Sequence, residues 1–129
     1  MNAESAIHKL AIDWASDKDV QAAGEALIRY LFSEKSGQLH LSFRRLIEIS
    51  NSSPGVTFRL AQYLTGDALP LLKQRFELIL DDEVWELEDH QVHFAAVHGQ
   101  LMHPDTGTPV PHYKEHVFPF YEKGDGLVD

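Results

Sequence analysis

Histidines cluster in the second half of the chain, among residues whose side chains could bind a metal ion. Imidazole and carboxylate groups are ligands for zinc and other divalent ions, so three or four converging side chains could bind one and activate water for hydrolysis. The spacing matches no compact metal motif, and scattered surface histidines are the structural alternative. The cluster is His90, His93, His98, His103, His112 and His116, with Asp89, Asp105 and Glu115 among them; the candidate metal ligands are His103, His112 and His116.

Six carboxylates without a basic residue lie between residues 81 and 89. They could chelate calcium or magnesium, raise a carboxyl pKa, or attract a basic partner. The run lacks the spacing and glycine of an EF-hand loop, so steering of a basic protein is its simplest role, and a solvated turn is the structural alternative. The predicted partner-binding residues are Asp81, Asp82 and Glu83 as a charged rim, with Trp85 and Phe118 as apolar anchors.

Arg59, Lys73 and Arg75 lie on or beside a predicted helix-turn-helix, whose second helix would enter a DNA groove in a transcription regulator. The charge argues against this role. The chain has a formal charge of −9, and residues 51–129 hold five basic and thirteen acidic side chains. Phosphate binding requires the opposite sign, so we expect no generic nucleic-acid partner.

Several functional classes lack their motifs. There is no cysteine, which removes disulfides, thiolate zinc sites and a cysteine nucleophile. Neither a nucleotide-binding glycine loop nor a G-x-S-x-G elbow occurs, so enzymatic activity has no support from motifs. The N-terminal residues do not form a signal peptide and no apolar run could span a membrane, so we expect a cytoplasmic protein without a membrane partner.

The first fifty residues predict helices. Asn2 is placed to cap a first helix, and Asp17 or Asp19 to start a second. A loop follows over Ser33–Gln38. A third helix is predicted after Ser42, with Leu39–Leu41 open between strand and helix.

The central segment predicts a helix-turn-helix. Ser53 and Pro54 are a strong helix start, because proline lacks the amide that a first turn cannot use. Gly66 ends this helix, and Asp67 is predicted to start a second short helix that reaches Phe76.

Two hairpins are predicted after the helix-turn-helix. Apolar and acidic residues alternate on both sides of Asp81-Asp82-Glu83, which predicts a hairpin in the position of a wing. A short helix capped by Asp89 and a second hairpin over 101–111 follow. Val117–Tyr121 reads as a last strand, interrupted by Pro119 and therefore predicted at an edge.

The second half of the chain has a characteristic order of elements and motifs. It is a helix, Arg75-Phe76-Glu77-Leu78, an acidic turn, Val84-Trp85-Glu86-Leu87, a further helix and then His103-Pro104-Asp105-Thr106-Gly107. Over Leu69–Tyr121 it resembles small winged-helix adaptor modules of bacterial signalling and defence systems. The resemblance implies a role in protein contacts between sensor and effector parts. It implies no catalytic residue, and without cysteine pairs it implies no zinc ribbon.

The sequence thus predicts one α+β domain over 1–129. Residues 1–50 form a helical support, 53–88 a winged-helix-like centre with a wing-like hairpin, 89–123 a short helix with a second hairpin and edge strand, and 124–129 a loose tail. The predicted function is a non-catalytic protein-interaction module without a cofactor: an adaptor, regulator or inhibitor that docks a partner through its acidic C-terminal half. A metal-dependent hydrolase and a winged-helix regulator are the alternatives; oligomeric state is open.

Overall fold

The computed structural model describes residues 1–33 and 39–127 and has the predicted α+β composition. Four strands are hydrogen-bonded in the order β1-β4-β2-β3. No helix in these two ranges is long and apolar enough to cross a membrane. The helices are α1 (Ala3–Asp13), α2 (Lys18–Ser33), α3 (Phe43–Ser50), α4 (Pro54–Leu64) and α5 (Asp89–His98), and the strands are β1 (Leu41–Ser42), β2 (Leu72–Leu80), β3 (Glu83–Leu87) and β4 (Val117–Lys123).

The chain divides into two compact units. We call Met1–Gln74 with Tyr121–Asp129 the helical unit, and Arg75–Phe120 the hairpin unit. The hairpin unit is therefore an insertion within the sequence of the helical unit.

Side-chain caps set the starts of α1 to α4, and those of Asn2, Asp17 and Ser53 were predicted. Asn2 Oδ1 accepts from the amide of Ser5 at 2.8 Å, and the side chains of Ser42 and Ser53 accept from amides in the first turns of α3 and α4. Asp17 does the same for α2, accepting from the amide of Val20 at 3.1 Å. Each cap satisfies an amide that has no partner within its helix. The loop predicted after Ser33 lies outside the described residues; Ser33 itself ends α2.

Close helix packing forms the core of the helical unit. Gly24 lies in the middle of α2, and a Cβ added there would be 2.3 Å from a methyl group of Leu10. This glycine therefore allows α1 to approach α2 more closely than any larger residue would. The core residues include Leu10, Leu27, Leu31, Leu46, Leu60 and Leu64, all fully or almost fully buried.

The predicted helix from Asp67 to Phe76 is wrong. Residues 67–71 form bends and irregular chain, and Leu72 begins the nine-residue strand β2. The cause is a long-range pairing: the amide of Gly124 donates to the carbonyl oxygen of Leu71, and the amide of Gly126 to that of Pro70. The predicted helix-turn-helix, whose second helix was Asp67–Phe76, is therefore not formed, although the hairpin predicted after it is present as β2 and β3.

The same pairing corrects the prediction of a loose C-terminal tail. Residues Asp125–Leu127 form a 3-10 turn, and Leu127 is buried in the core of the helical unit. The last two residues lie outside the described part.

Two smaller predictions, on the position of β4 in the sheet and on the cap of α5, are also wrong. β4 lies between β1 and β2 and is not an edge strand, although its neighbour β1 is only two residues long. The residue that caps α5 is Glu88 and not Asp89, and the side chain of Gln91 accepts from the Glu88 amide at 2.9 Å.

Candidate protein-binding surface

Negative charge is concentrated in the hairpin unit. Residues Arg75–Phe120 contain nine carboxylates and two cationic side chains, a formal charge of −7 with histidine neutral, out of −9 for the whole chain. Such a density attracts cationic partners over several ångströms and repels anionic ones. The charge of the hairpin unit therefore favours a cationic partner there.

A tight turn presents two of these carboxylates at the tip of the hairpin. Leu80 pairs with Glu83, so Asp81 and Asp82 alone form the turn, and their φ angles are +48° and +68°. Two successive residues with positive φ make a type I′ turn, which suits the twist of a hairpin and which aspartate tolerates better than most residues. Asp81, Asp82 and Glu83 are all exposed, as a charged rim requires.

One face of the hairpin is covered within its own unit. Leu78 and Leu87 are buried there with Ala95 of α5 and with Leu101 and Val110. We call this the inner face. The partly buried residues that pack against it are Phe76, Leu80, Trp85, Val92, Tyr113 and Val117.

The opposite face, which we call the outer face, carries exposed apolar side chains. Val84 pairs with Ile79 across the hairpin, so the two side chains share one face. The amide of Ile79 donates to the carbonyl oxygen of His116 at 2.9 Å, which places His116 opposite Ile79. Phe118, two residues further on, is therefore on the same face. Val84 is 55% exposed and Phe118 is 45% exposed, while Ile79 is half-buried and Phe120, which follows Phe118 on this face, is buried.

The two anchors predicted from the sequence are not brought together. Trp85 pairs with Leu78 and so belongs to the inner face. Its indole Nε1 donates to Asp105 at 3.0 Å, and the ring packs edge-on against His103 with the centroids 4.6 Å apart. Trp85 is half-buried and holds the second turn of the unit in place, whereas Phe118 lies on the outer face.

Val84 was missed in the sequence analysis. The signal was available, because Val84 alternates with Trp85 and is apolar at a position where alternation would place a polar residue. What the sequence does not reveal is which face of the hairpin α5 covers.

The histidines do not assemble a metal site in the described residues, where no group of three histidine, aspartate or glutamate side chains could hold an ion. His103 Nδ1 instead accepts from the amides of Asp105 and Thr106, at 3.1 and 3.4 Å, and so stabilises the turn that follows it. His112 has a left-handed backbone, with φ of +52°, and caps a 3-10 turn. Each of these histidines has a structural position of its own.

The cations considered for DNA reading are also dispersed. Arg59 Nη1 donates to Asp17 Oδ2 at 2.6 Å. The hydrogen bond from the backbone amide of Val20, together with this arginine, holds the pKa of Asp17 below its usual value. Arg75 Nη2 donates to the carbonyl oxygen of Leu87 at 3.1 Å, and Lys73 lies on β2. With a strand in place of the second helix, these residues do not form a recognition surface of the helix-turn-helix type.

A second apolar surface lies on α5. Phe94 and Val97 are 39% and 62% exposed, and a groove of about 540 Å³ runs beside them. Apolar residues are spread around this helix, so it cannot bury all of them against one sheet. The groove is lined by His90, Gln91, His93, Phe94, Val97, His98, Leu101 and Met102. Unlike the outer face of the hairpin, the groove has no carboxylate in its lining.

Comparisons of this chain with protein-family models, with curated proteins and with solved structures find no match.

Proposed function

We propose that this protein is a non-catalytic interaction module that docks a basic partner protein on the outer face of its hairpin. The observation that carries the proposal is the exposure of Val84 and Phe118 on one sheet face, within a unit whose formal charge is −7. An adaptor, regulator or inhibitor of a bacterial cytoplasmic system, as the resemblance implies, would use such a surface.

The two kinds of side chain would contribute differently to binding. Burial of an exposed valine and phenylalanine supplies affinity, because apolar area leaves water. The surrounding carboxylates, at the turn and at Glu86, raise the rate of association with a cationic protein and disfavour anionic competitors. Binding of this kind weakens as salt screens the charges, while its apolar part persists.

The experiment is an affinity capture from lysate of the source organism with wild-type protein and a double variant, Val84→Thr with Phe118→Ser. Phe58→Ser is the matched control, since Phe58 is 53% exposed but lies on α4 in the helical unit. We expect a stoichiometric protein that binds wild type and Phe58→Ser, survives nuclease, and is lost from the double variant. Far-UV circular dichroism and the Tm of each variant check that the fold is intact.

Purification of that partner then gives the dissociation constant as a function of salt. The proposal predicts an at least tenfold weaker Kd for the double variant and a weaker Kd at high ionic strength for wild type. A partner that binds the folded double variant as tightly as wild type would refute it, as would a partner that Phe58→Ser loses equally.

A further inference from the structure

The strand β3 has one free edge. It is the last strand in the order β1-β4-β2-β3 and pairs with β2 on one side. On the other side, no strand within residues 1–33 and 39–127 bonds to it. A free edge presents backbone amides and carbonyl groups that a further strand could pair with.

The register shows which backbone groups face outward. In a two-residue hairpin the pair that closes the turn, here Leu80 and Glu83, exchanges hydrogen bonds, and bonded pairs then alternate along the ladder. Glu83, Trp85 and Leu87 therefore bond to β2. The amides and carbonyl groups of Val84 and Glu86 point away from it, and they offer two donors and two acceptors in a row.

The neighbouring backbone groups are already used. The groups of Leu87 face β2, and its carbonyl oxygen also accepts from Arg75; the amide of Glu88, which is next on the outward side, donates to Gln91. The free part of the edge is therefore short and bounded, and its two residues carry one apolar and one acidic side chain on the outer face.

A second copy of this chain is a poor occupant of the edge. Antiparallel pairing of two β3 strands through both outward residues would place Glu86 of one copy opposite Val84 of the other, so neither copy offers the other a cation beside Glu86. Both hairpin units also carry a formal charge of −7. Charge complementarity instead favours a cationic strand.

We infer that the free edge of β3 accepts an extended segment of the partner protein by strand addition, with an apolar residue opposite Val84 and a lysine or arginine opposite Glu86. This inference rests on the proposed function and specifies its binding mode. Because cross-strand neighbours share a face, the incoming apolar side chain extends the outer face beside Val84. A second cation, two residues from the apolar one on the side away from the first cation, would lie next to the acidic turn.

The test uses a synthetic peptide, acetyl-Thr-Lys-Thr-Val-Thr-Lys-Thr-amide, whose valine and lysines share one face when extended. The matched control has the same sequence with a methyl group on the valine amide nitrogen, which removes one backbone donor but keeps every side chain and charge. Binding is followed in ¹H–¹⁵N spectra of the full chain. We expect the amides of Val84 and Glu86 to shift and to become at least tenfold better protected against hydrogen exchange, and the methylated peptide to bind at least tenfold more weakly.

A protein variant provides the complementary test. Val84→Pro removes the outward amide at an edge position where proline is tolerated, whereas Val84→Thr keeps it. Val84→Thr loses the apolar contact but keeps the backbone donor, so we expect Val84→Pro to weaken binding of the unmodified peptide at least tenfold more than Val84→Thr does.

Three outcomes would overturn strand addition: equal binding of both peptides, shifts confined to α5 around Phe94 and Val97, or no binding at millimolar peptide. None of them would by itself refute the proposed function, which is judged by the capture of a whole partner with the double variant of the outer face. Conversely, self-association of the wild type that Val84→Pro abolishes would show that a second copy occupies the edge and would overturn the inference.

Discussion

Replacement of Gly124 by alanine should destabilise the helical unit more than any other single added methyl group near its C-terminal segment. A Cβ at this position would lie 2.4 Å from the carbonyl oxygen of Pro70 and 2.8 Å from the amide nitrogen of Leu72. Both are backbone atoms, so no rotamer change relieves the contact. The segment that begins at Gly124 has to move away from the chain that precedes β2.

The magnitude follows from what that movement breaks. The amide of Gly124 bonds to Leu71 at 2.9 Å and the amide of Gly126 to Pro70 at 2.8 Å. Each bond contributes about 0.5 to 1.5 kcal/mol. Partial exposure of Leu127, which is buried, adds about 1 kcal/mol. We therefore expect a loss of about 2 to 4 kcal/mol in the free energy of unfolding, and a fall in Tm of roughly 6 to 20 °C for a chain of this length.

Urea unfolding followed by far-UV circular dichroism measures the effect, with Gly55→Ala as the control. Gly55 lies in the first turn of α4, and a Cβ there would meet nothing within 4 Å. That variant should be neutral or more stable by up to about 1 kcal/mol, since alanine favours helix over glycine. If Gly124→Ala unfolds within about 0.5 kcal/mol of wild type, the close approach is not rigid and our explanation for the missing helix before Phe76 fails with it.

Three further predictions concern other contacts. Gly24→Ala should cost about 1 to 3 kcal/mol in urea unfolding despite its better helix propensity, because the new methyl group overlaps a leucine of α1; equal or greater stability would contradict this packing. Glu86→Gln should raise the stability of the hairpin by about 0.2 to 1 kcal/mol, since Glu86 lies directly opposite Glu77, and a fall in Tm would contradict it. The Tyr63 hydroxyl donates to Asp13 and lowers the pKa of that carboxyl, while burial and then this carboxylate raise the pKa of Tyr63. Because the pKa of Asp13 is lower in the folded than in the unfolded chain, this carboxyl contributes stability at pH values above its unfolded pKa. That stability is lost as the pH falls through its folded pKa. Because the pKa of Tyr63 is higher in the folded than in the unfolded chain, this hydroxyl contributes stability below about pH 10. That stability is lost as the pH rises through the folded pKa of Tyr63. Tyr63→Phe should thus be less stable than wild type near neutral pH, with a difference that shrinks towards strong acid and strong alkali; a pH-independent difference would refute it.

Local signals in the sequence predicted the elements whose ends depend on neighbouring residues. Ser53 caps α4 as expected, and α3 begins after Ser42 as expected, because a hydroxyl three residues before a free amide can reach it whatever the rest of the chain does. The Asp81-Asp82 turn followed from alternation on both sides of it.

The segment around Leu72 shows why the rest could not be predicted. Leu69, Leu72 and Phe76 have helical spacing, while Phe76, Leu78 and Leu80 alternate as in a strand. The choice between the two is made by Gly124 and Gly126, about fifty residues away, whose amides bond to the carbonyl groups before β2. Sequence periodicity contains no information about such a partner.

The candidate surface shows the same limit. Phe118 and the acidic turn were identified from residue type, but the face to which each side chain belongs depends on which side of the sheet α5 covers. Trp85 was therefore assigned to the partner surface, although it packs on the inner face, and Val84 was overlooked.

The insertion of the hairpin unit into the helical unit has a consequence for synthesis on the ribosome. The chain emerges from its N-terminus, so Pro70 and Leu71 are made before the 46 residues Arg75–Phe120, and Gly124 and Gly126 only after them. At about 5 to 20 residues per second, roughly 3 to 11 s separate the synthesis of Leu71 from that of Gly124. During that interval the N-terminal part of the helical unit has no Leu127 to complete its core, and at its end the hairpin unit is complete in sequence before the helical unit is. A stalled nascent chain in which an unrelated linker, long enough to fill the exit tunnel, follows Phe120 should therefore show a protected hairpin unit and a protease-sensitive helical unit.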